Sequence, residues 1–211
     1  MKFPPLFITA TGTGVGKTYA ACQLIDALCQ AGYKVAAFKP IETGVSTLPE
    51  DGSQLLKTMR QYPINPDLGL ETVCPIRFSL PAAPDVARGE TPIDWALMDT
   101  AFKACADAAD MVLIEGAGGA LAPVENETLS LDIARRYHAK VLVIAPDRLG
   151  MIHDLIATLE AIKSRGFDPL WAVNLRDGDF DRLSNPWLSK HFGYFWRLPN
   201  HLPELIGTLT R

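Results

Sequence analysis

Continuous apolar runs alternate along this chain with segments in which apolar residues recur every three or four positions. The runs lie at residues 6–10 and in YKVAAFKP, MVLIEGAGG, AKVLVIAPD and PLWAVN, and they predict buried strands. The periodic segments predict helices at residues 18–31, 53–61, 95–109, 129–138 and 152–166. Strands that are apolar on both faces and are separated by helices indicate an α/β fold, with a parallel sheet that has helices on both faces.

The segment from residue 44 to residue 92 is rich in proline, glycine and aspartate, and it is predicted to be mostly irregular outside the helix at 53–61. No linker divides the chain, so residues 1–211 are predicted to form a single domain. Ligands of such sheets bind beyond the carboxyl ends of the strands. The unusual motifs of this chain follow predicted strands, which places the candidate chemistry at one edge of the sheet.

Composition argues against two classes of function. The formal net charge of −4 and the pI of about 5.6 argue against a nucleic-acid-binding protein, which would show a basic face. No apolar run approaches the roughly 18 residues that a membrane helix needs, so no membrane partner is expected. The first apolar run leads directly into a glycine loop, which predicts a strand and not a signal peptide.

Cysteine usage favours a cytoplasmic protein with reduced, mostly buried thiols, because the cysteines show no C-x-x-C pairing. The cysteines are Cys22, Cys29, Cys74 and Cys105.

The stretch TATGTGVGKT, between the first strand and the first helix, predicts a phosphate-binding loop and a P-loop NTPase-like fold. Backbone N–H groups and the helix N-terminus of such a loop bind phosphates, Lys17 would reach the outer phosphates, and the Thr18 hydroxyl would bind Mg²⁺. The strict G-x-x-x-x-G-K-[ST] pattern has glycine where this chain has Thr11. A chance glycine turn is therefore the alternative, and the position between strand and helix argues against it.

Three further polar residues lie near predicted strand ends or helix starts. Lys39 in FKPIETG would point at the same phosphates as Lys17, or it is a solvated lysine at a strand end. Glu115 in LIEGAGG ends a buried strand, where a carboxylate is costly unless it is paired or binds a metal; Mg²⁺ takes few protein carboxylates beside water and phosphate. Asp51 precedes a helix, and there a helix N-cap and a metal ligand are equally open interpretations.

Together these motifs resemble the dethiobiotin synthetase family. The resemblance runs from about residue 6 to residue 176, and its most specific part is KPIETG followed by IEGAGG. It also rests on TATGTGVGKT, Asp51, Pro123 after IEGAGG, DRLGMIHD, and Asn174 in WAVN. The resemblance implies a homodimeric ligase that makes the ureido ring of dethiobiotin from 7,8-diaminopelargonate and CO₂, with Mg²⁺ and a nucleoside triphosphate, usually ATP.

The resemblance also implies a role for each matching residue. Lys17 and Lys39 are expected on the phosphates and Thr43 near the reacting carbamate, as the catalytic set. The expected metal ligands are Thr18, Asp51 and Glu115. The expected nucleotide-binding residues are Thr13, Gly14, Val15, Gly16, Lys17, Thr18, Glu115, Gly118 and, near the base, Asn174. The expected substrate-binding residues are Thr11, Lys39, Thr43, Gly118, Leu149, Gly150, Met151 and Ile152, the last four from the partner subunit.

The chain departs from the family pattern at three places: Ala10 stands where the family usually has its first glycine, Gly14 replaces an acid that is often present, and the C-terminal tail is short. A different class of function is a partitioning or positioning P-loop ATPase that switches a dimer. Such ATPases usually carry a second lysine early in the loop, where this chain has Gly12.

Overall fold

A parallel β-sheet forms the centre of the computed structural model, which describes residues 1–176 and 179–211. Within those residues its strands lie in the spatial order β10 (Trp196–Leu198), β9 (Leu170–Asn174), β8 (Lys140–Pro146), β1 (Leu6–Ala10), β5 (Met111–Glu115) and β2 (Val35–Phe38). All neighbouring pairs run parallel. The carboxyl ends of these strands therefore lie along one edge, and the predicted parallel α/β fold is confirmed.

The remaining elements surround this sheet. The helices are α1 (Lys17–Gln30), α2 (Glu50–Met59), α3 (Leu70–Val73), α4 (Pro84–Ala87), α5 (Trp95–Ala108), α6 (Ser130–Arg136), α7 (Met151–Lys163), α8 (Phe180–Leu183), α9 (Asn185–Phe192) and α10 (Leu202–Leu209). Two short ribbons complete the fold: β3 (Ile41–Thr43) pairs in parallel with β4 (Ile76–Phe78), and β6 (Pro123–Glu125) pairs antiparallel with β7 (Thr128–Leu129).

Successive side chains of the central strands enter two separate apolar cores, because side chains alternate between the faces of a strand. Leu6 and Ile8 of β1 pack in the core that contains the buried residues of α1, α2 and α10. Phe7, between them, packs in the core that contains the buried residues of α5, α6 and α7. This arrangement explains why the strands are apolar throughout, since burial of one large apolar side chain stabilises the fold by about 1.5–3 kcal/mol.

The long periodic helices were predicted to within three residues at each end, as α1, α5, α6 and α7. The helix predicted at 53–61 also lies within three residues at each end, since α2 begins at Glu50 and ends at Met59. The segment 44–92 is more ordered than predicted, because it contains α3, β4 and α4. These elements have three or four residues each, which is too few to produce a periodic pattern.

Two further features concern the cysteines and the lengths of the helices. All four cysteines are buried free thiols. Throughout the described residues, each helix is too short or too polar to span a bilayer.

Candidate active site

The loop between β1 and α1 takes its shape from two glycines and one asparagine. Gly14 and Gly16 have φ values of 71° and 98°, in the left-handed region that side chains rarely adopt. A Cβ on Gly16 would lie 2.4 Å from Asn174 Nδ2, so the loop approaches the end of β9 too closely for any other residue. Asn174 Nδ2 donates a hydrogen bond of 3.2 Å to the Val15 carbonyl, which fixes the loop against the sheet.

A cavity of about 340 Å³ opens beside this loop at the carboxyl edge of the sheet. Its lining combines the loop, the start of α1 and α2, the end of β2 and the glycine turn after β5. The lining residues are Thr13, Gly14, Gly16, Lys17, Thr18, Lys39, Ile41, Glu42, Thr43, Asp51, Glu115, Ala117 and Gly118. All of them except Ile41, Glu42 and Ala117 are residues that the sequence predicted for the site.

Lys39 and Glu115 form a buried ion pair at the ends of two adjacent strands. The register that aligns Phe38 with Ile114 brings the following residue of each strand to the same edge. Lys39 Nζ lies 2.7 Å from Glu115 Oε1, and the two side chains are 3% and 1% exposed. Lys39 Nζ also lies 2.9 Å from Asp51 Oδ2. The alternative that Lys39 is a solvated strand-end lysine is therefore wrong.

Oxygen atoms of Thr18, Asp51 and Glu115 converge within the same cavity. Thr18 Oγ1 lies 2.7 Å from Asp51 Oδ1 and 2.9 Å from Glu115 Oε1. Glu115 Oε2 is buried and has no hydrogen-bond partner among the described residues, which is costly for a carboxylate oxygen unless a ligand binds it. Hydroxyl and carboxylate oxygens are the ligands that Mg²⁺ prefers, so this donor set fits Mg²⁺.

The structure also decides between the two interpretations of Asp51. Helix α2 begins at Glu50, and its N-cap residue is Pro49. Asp51 therefore lies inside the first turn and is not the N-cap. Its carboxylate is directed to Thr18 and Lys39 instead. Within the described part of the chain, no group of three or more His, Cys, Asp or Glu side chains could hold a metal ion.

The charges of this cluster shift the pKa values of their neighbours. Burial raises the pKa of Glu115 above 4.5, against the opposing effect of Lys39. Burial alone would lower the pKa of Lys39, but Glu115 and Asp51 raise it above 10.5. Burial alone would raise the pKa of Asp51, but Lys39 brings it below 3.8. At neutral pH Lys39 is therefore a cation held by the carboxylates beside it.

Lys17 lies in the same cavity with different neighbours. Its Nζ is 3.5 Å from the Gly12 carbonyl oxygen, and the side chain is buried. No carboxylate forms an ion pair with Lys17 among the residues that the structure describes. Burial, and next the charge of Lys39, lower its pKa below 10.5.

Three predicted residues lie behind the loop or beside it. Asn174 and Val15 are buried and contact each other, so they support the loop and do not line the cavity. Thr11 lies in a separate groove with residues of α7, including Ala157 and Ala161. Thr11 is not among the described residues that line the first cavity beside Lys39, and its expected contact with substrate stays a prediction.

The segment that begins α7 does not reach this cavity in its own subunit. Leu149 is 83% exposed, Met151 is fully buried in the core, and Ile152 packs against that core. Gly150 caps α7 with a φ of 89°. Met151 is buried, whereas Ile152 is only partly buried. Substrate contacts from this segment stay a prediction, and the backbone N–H groups at the start of α7 are one group that it could offer.

A second cavity of about 420 Å³ adjoins the first. The two cavities share Thr13, Thr43, Ala117 and Gly118. The remaining wall of the second cavity is formed by prolines, alanines and a glycine: Pro81, Ala82, Ala83, Pro84, Gly119, Ala122 and Pro123. An apolar compartment thus opens next to the cluster of charges.

Sequence reasoning assigned no role to Glu42, although the acid was visible in KPIETG. The side chain is buried, and its carboxylate accepts hydrogen bonds from the backbone N–H groups of Asp51 and Gly52. The missing information was the position of α2, which no local pattern around Glu42 could supply.

Comparison with known proteins identifies the family. Residues 5–177 match a family model described as an AAA domain. The ATP-dependent dethiobiotin synthetase BioD of Sulfurovum sp. is 37% identical over 194 residues, which cover 90% of this chain and 92% of that protein. The enzyme of Wolinella succinogenes is 35% identical over 210 residues and 97% of each chain. The BioD 1 enzyme of Escherichia coli K12 is 33% identical over 173 residues, which cover 80% of this chain and 76% of that enzyme.

Two solved structures share the fold at low identity. A plasmid partition protein of Borrelia burgdorferi has a TM-score of 0.58 and 12% identity, with 99% of this chain and 97% of that chain covered. A ParA family ATPase of Chlorobium tepidum has a TM-score of 0.54 and 16% identity, with 100% and 91% covered. These likenesses concern the fold alone, whereas the sequence identity to the curated enzymes extends over nearly the whole chain. The chain belongs to the dethiobiotin synthetase family.

Proposed function

We propose that this protein is an ATP-dependent dethiobiotin synthetase, which closes the ureido ring of dethiobiotin from 7,8-diaminopelargonate and CO₂. The observation that carries the proposal is one cavity in which Lys17, Lys39, Thr18, Asp51 and Glu115 converge. The 37% identity to a dethiobiotin synthetase supports it.

The reaction requires two anions to meet. One amine of diaminopelargonate captures CO₂ as a carbamate, whose negative charge makes its carbon a weak electrophile. Transfer of the γ-phosphoryl group to a carbamate oxygen forms a mixed carbamic-phosphoric anhydride and releases ADP. The second amine then attacks the carbonyl carbon, the C–O bond to phosphate breaks, and the ring closes as phosphate leaves. Catalysis of such a transfer is mainly positioning and electrostatic stabilisation.

In this proposal the two lysines supply countercharge at different points. Lys17 binds the outer phosphates of ATP, for which its charge is available because no carboxylate pairs with it in the described chain. Lys39 acts on the charge that develops during transfer, since fixed charges at that position act without reorganisation. Thr43, which lines both cavities, lies beside the reacting carbamate.

Thr18, Asp51 and Glu115 are the residues that would hold Mg²⁺. Bound Mg²⁺ would neutralise negative charge on the β- and γ-phosphates. The backbone N–H groups of the loop at Thr13, Gly14, Val15 and Gly16 would hold the phosphates at the N-terminus of α1. Gly118, on the opposite side of the cavity, has no side chain and would let its backbone approach the nucleotide closely. Asn174 would lie near the nucleotide base.

The diaminopelargonate chain fits the second, apolar cavity, because its amines must lie near Lys39 while its hydrocarbon chain leads away. Leu149, Gly150, Met151 and Ile152 line neither cavity of their own subunit within the described residues. This supports a two-fold homodimer in which backbone N–H groups of this segment bind the substrate carboxylate in the partner's site.

The activity is tested by measuring phosphate release with ATP, GTP and CTP in turn, each with and without diaminopelargonate and bicarbonate. A synthetase releases phosphate only when both substrates are present, and the comparison of nucleotides gives its base preference. Phosphate release that is the same without diaminopelargonate would instead favour a switching ATPase and overturn the proposal.

The shared site is tested by mixing two inactive variants, Lys39→Ala and Gly150→Trp, after reversible dissociation. In a mixed dimer with shared sites, one site carries both substitutions and the other carries neither. Random equal mixing should therefore restore roughly a quarter of the wild-type activity. If mixed dimers form and no activity returns, each subunit uses its own loop.

A further inference from the structure

Glu42 connects two parts of the candidate site through the backbone. It lies in β3, three residues after Lys39, and its side chain is 6% exposed. Glu42 Oε1 accepts a hydrogen bond of 3.0 Å from the Asp51 N–H, and Oε2 accepts one of 2.9 Å from the Gly52 N–H. Each carboxylate oxygen thus holds one backbone donor of the first turn of α2.

The first turn of α2 has no side-chain cap of its own. Its N-cap residue is Pro49, and no side-chain cap hydrogen bond is present. The first N–H groups of a helix have no partner inside the helix, and a carboxylate at that end also interacts favourably with the helix dipole. Glu42, which lies in β3, therefore provides the hydrogen-bond acceptors for these N–H groups that the residues immediately before α2 do not provide.

The packing around Gly52 keeps this contact short. A Cβ on Gly52 would lie 2.7 Å from Cys74 Cβ and 3.5 Å from Glu42 Oε2. Burial and, after it, the charge of the nearby Glu42 carboxylate raise the pKa of Cys74 to about 12. The Cys74 thiol is therefore uncharged at neutral pH. Helix α2 can approach it and β3 closely only because residue 52 has no side chain.

We propose that Glu42 is a positioning residue for Asp51. By holding the N–H groups of Asp51 and Gly52, it fixes the first turn of α2 so that the Asp51 carboxylate is directed to Thr18 Oγ1 and Lys39 Nζ, at 2.7 Å and 2.9 Å. The inference rests on the proposed function, in which Asp51 is a ligand of Mg²⁺. Residues that orient a metal ligand typically change metal affinity or activity by about 10- to 100-fold when they are replaced.

The test compares Glu42→Gln with Glu50→Gln in the whole protein. Both variants remove one negative charge at the N-terminal turn of α2, but Glu50 is exposed and makes no side-chain hydrogen bond to the first turn. Glu115→Gln serves as the benchmark for a changed ligand. Comparison of Glu42→Gln with Glu50→Gln therefore distinguishes the effect of the Glu42 hydrogen bonds from a general effect of negative charge near the helix N-terminus.

The first readout is hydrogen exchange at the amides of Asp51 and Gly52, without metal and nucleotide. Glu42→Gln should accelerate exchange there, and Glu50→Gln should leave it unchanged. The second readout is binding of the non-hydrolysable nucleotide AMP-PNP, measured at increasing Mg²⁺ concentrations. The quantity compared is the Mg²⁺ concentration that gives half of the maximal binding. Glu42→Gln should raise this concentration about 10-fold, while Glu50→Gln should stay near the wild-type value.

An unchanged Mg²⁺ requirement in a folded Glu42→Gln variant, even with a lower urea midpoint, would overturn the inference and leave Glu42 as a structural cap. An equal effect in both variants would also overturn it. If Glu42→Gln does not fold, Gly52→Ala disturbs the same contact from the helix side, with Gly69→Ala as the control because a Cβ at Gly69 meets no atom within 4 Å. Failure of the proposed function is seen separately, because it appears as phosphate release that does not require diaminopelargonate, whereas these readouts use binding and exchange.

Discussion

The phosphate loop and the end of β2 each contribute one lysine to the same cavity, but the two ammonium groups have different neighbours. Lys17 in the loop contacts a backbone carbonyl, and burial lowers its pKa. Lys39 at the strand end is held by Glu115 and Asp51 at 2.7 Å and 2.9 Å, and its pKa is raised. The charge of Lys17 is therefore available for a ligand, whereas the charge of Lys39 is compensated by the carboxylates of Glu115 and Asp51.

This difference indicates two roles. No carboxylate among the described residues forms an ion pair with Lys17, so its charge should contribute to binding of the nucleoside triphosphate. Lys39 also holds the two carboxylates that would bind Mg²⁺, so its removal affects both the transferring group and the positions of those carboxylates. The comparison therefore predicts different kinetic signatures for two substitutions that look alike in the sequence.

The largest effect is expected for Lys39→Ala. Loss of a fixed charge that acts in the transition state should lower kcat by on the order of 10²–10³, with a smaller change in the KM for ATP. Removal of one partner from a buried ion pair also destabilises a fold, by about 3–5 kcal/mol, so folding is checked by circular dichroism. Steady-state phosphate release with both substrates measures the effect, and Lys57→Ala, an exposed lysine of α2, is the control. Near-normal turnover would contradict the role of Lys39.

Lys17→Ala should have the next largest effect and should weaken nucleotide binding together with turnover. A hydrogen bond to a charged group contributes about 1.5–3 kcal/mol, which corresponds to roughly 10- to 100-fold in affinity. Calorimetric titration with AMP-PNP and the KM for ATP measure it. If Lys17→Ala lowers kcat while the affinity for nucleotide is unchanged, the contrast between the two lysines fails.

The smallest effect is expected in the pH dependence of the free energy of unfolding, which tests the pairing of Lys39 with Asp51. Because the pKa of Asp51 lies below 3.8 in the folded protein, its carboxylate stabilises the native state above that pH, and the contribution is lost as the pH falls further. Asp51→Asn should therefore be less stable than wild type at pH 7, and the difference should narrow below pH 3.8. Urea unfolding at several pH values measures this, with the exposed Asp67→Asn as control. A difference that stays constant at every pH would show that Lys39 and Asp51 are not coupled in the folded state.

The sequence by itself determined the central strands, the long helices and the phosphate loop. Apolar runs such as that of β1 and the periodicity of α1, α5 and α7 are repeated over enough residues to be recognised without partners. The glycines and the Gly-Lys-Thr of the loop carry local chemistry, because a left-handed turn and a helix N-terminus need particular residues at particular positions. The resemblance to one family then placed the candidate residues along the chain.

Only the tertiary structure decided how those residues meet. Thr18 contacts Asp51 and Glu115 across 33 and 97 residues of chain, and no local pattern reports such a distance. The same limit explains why Asp51 could be taken for a helix cap and why Glu42 had no assigned role. Local propensity specifies which element a residue joins, whereas the partners of a buried charge depend on the packing of elements that are distant in the sequence.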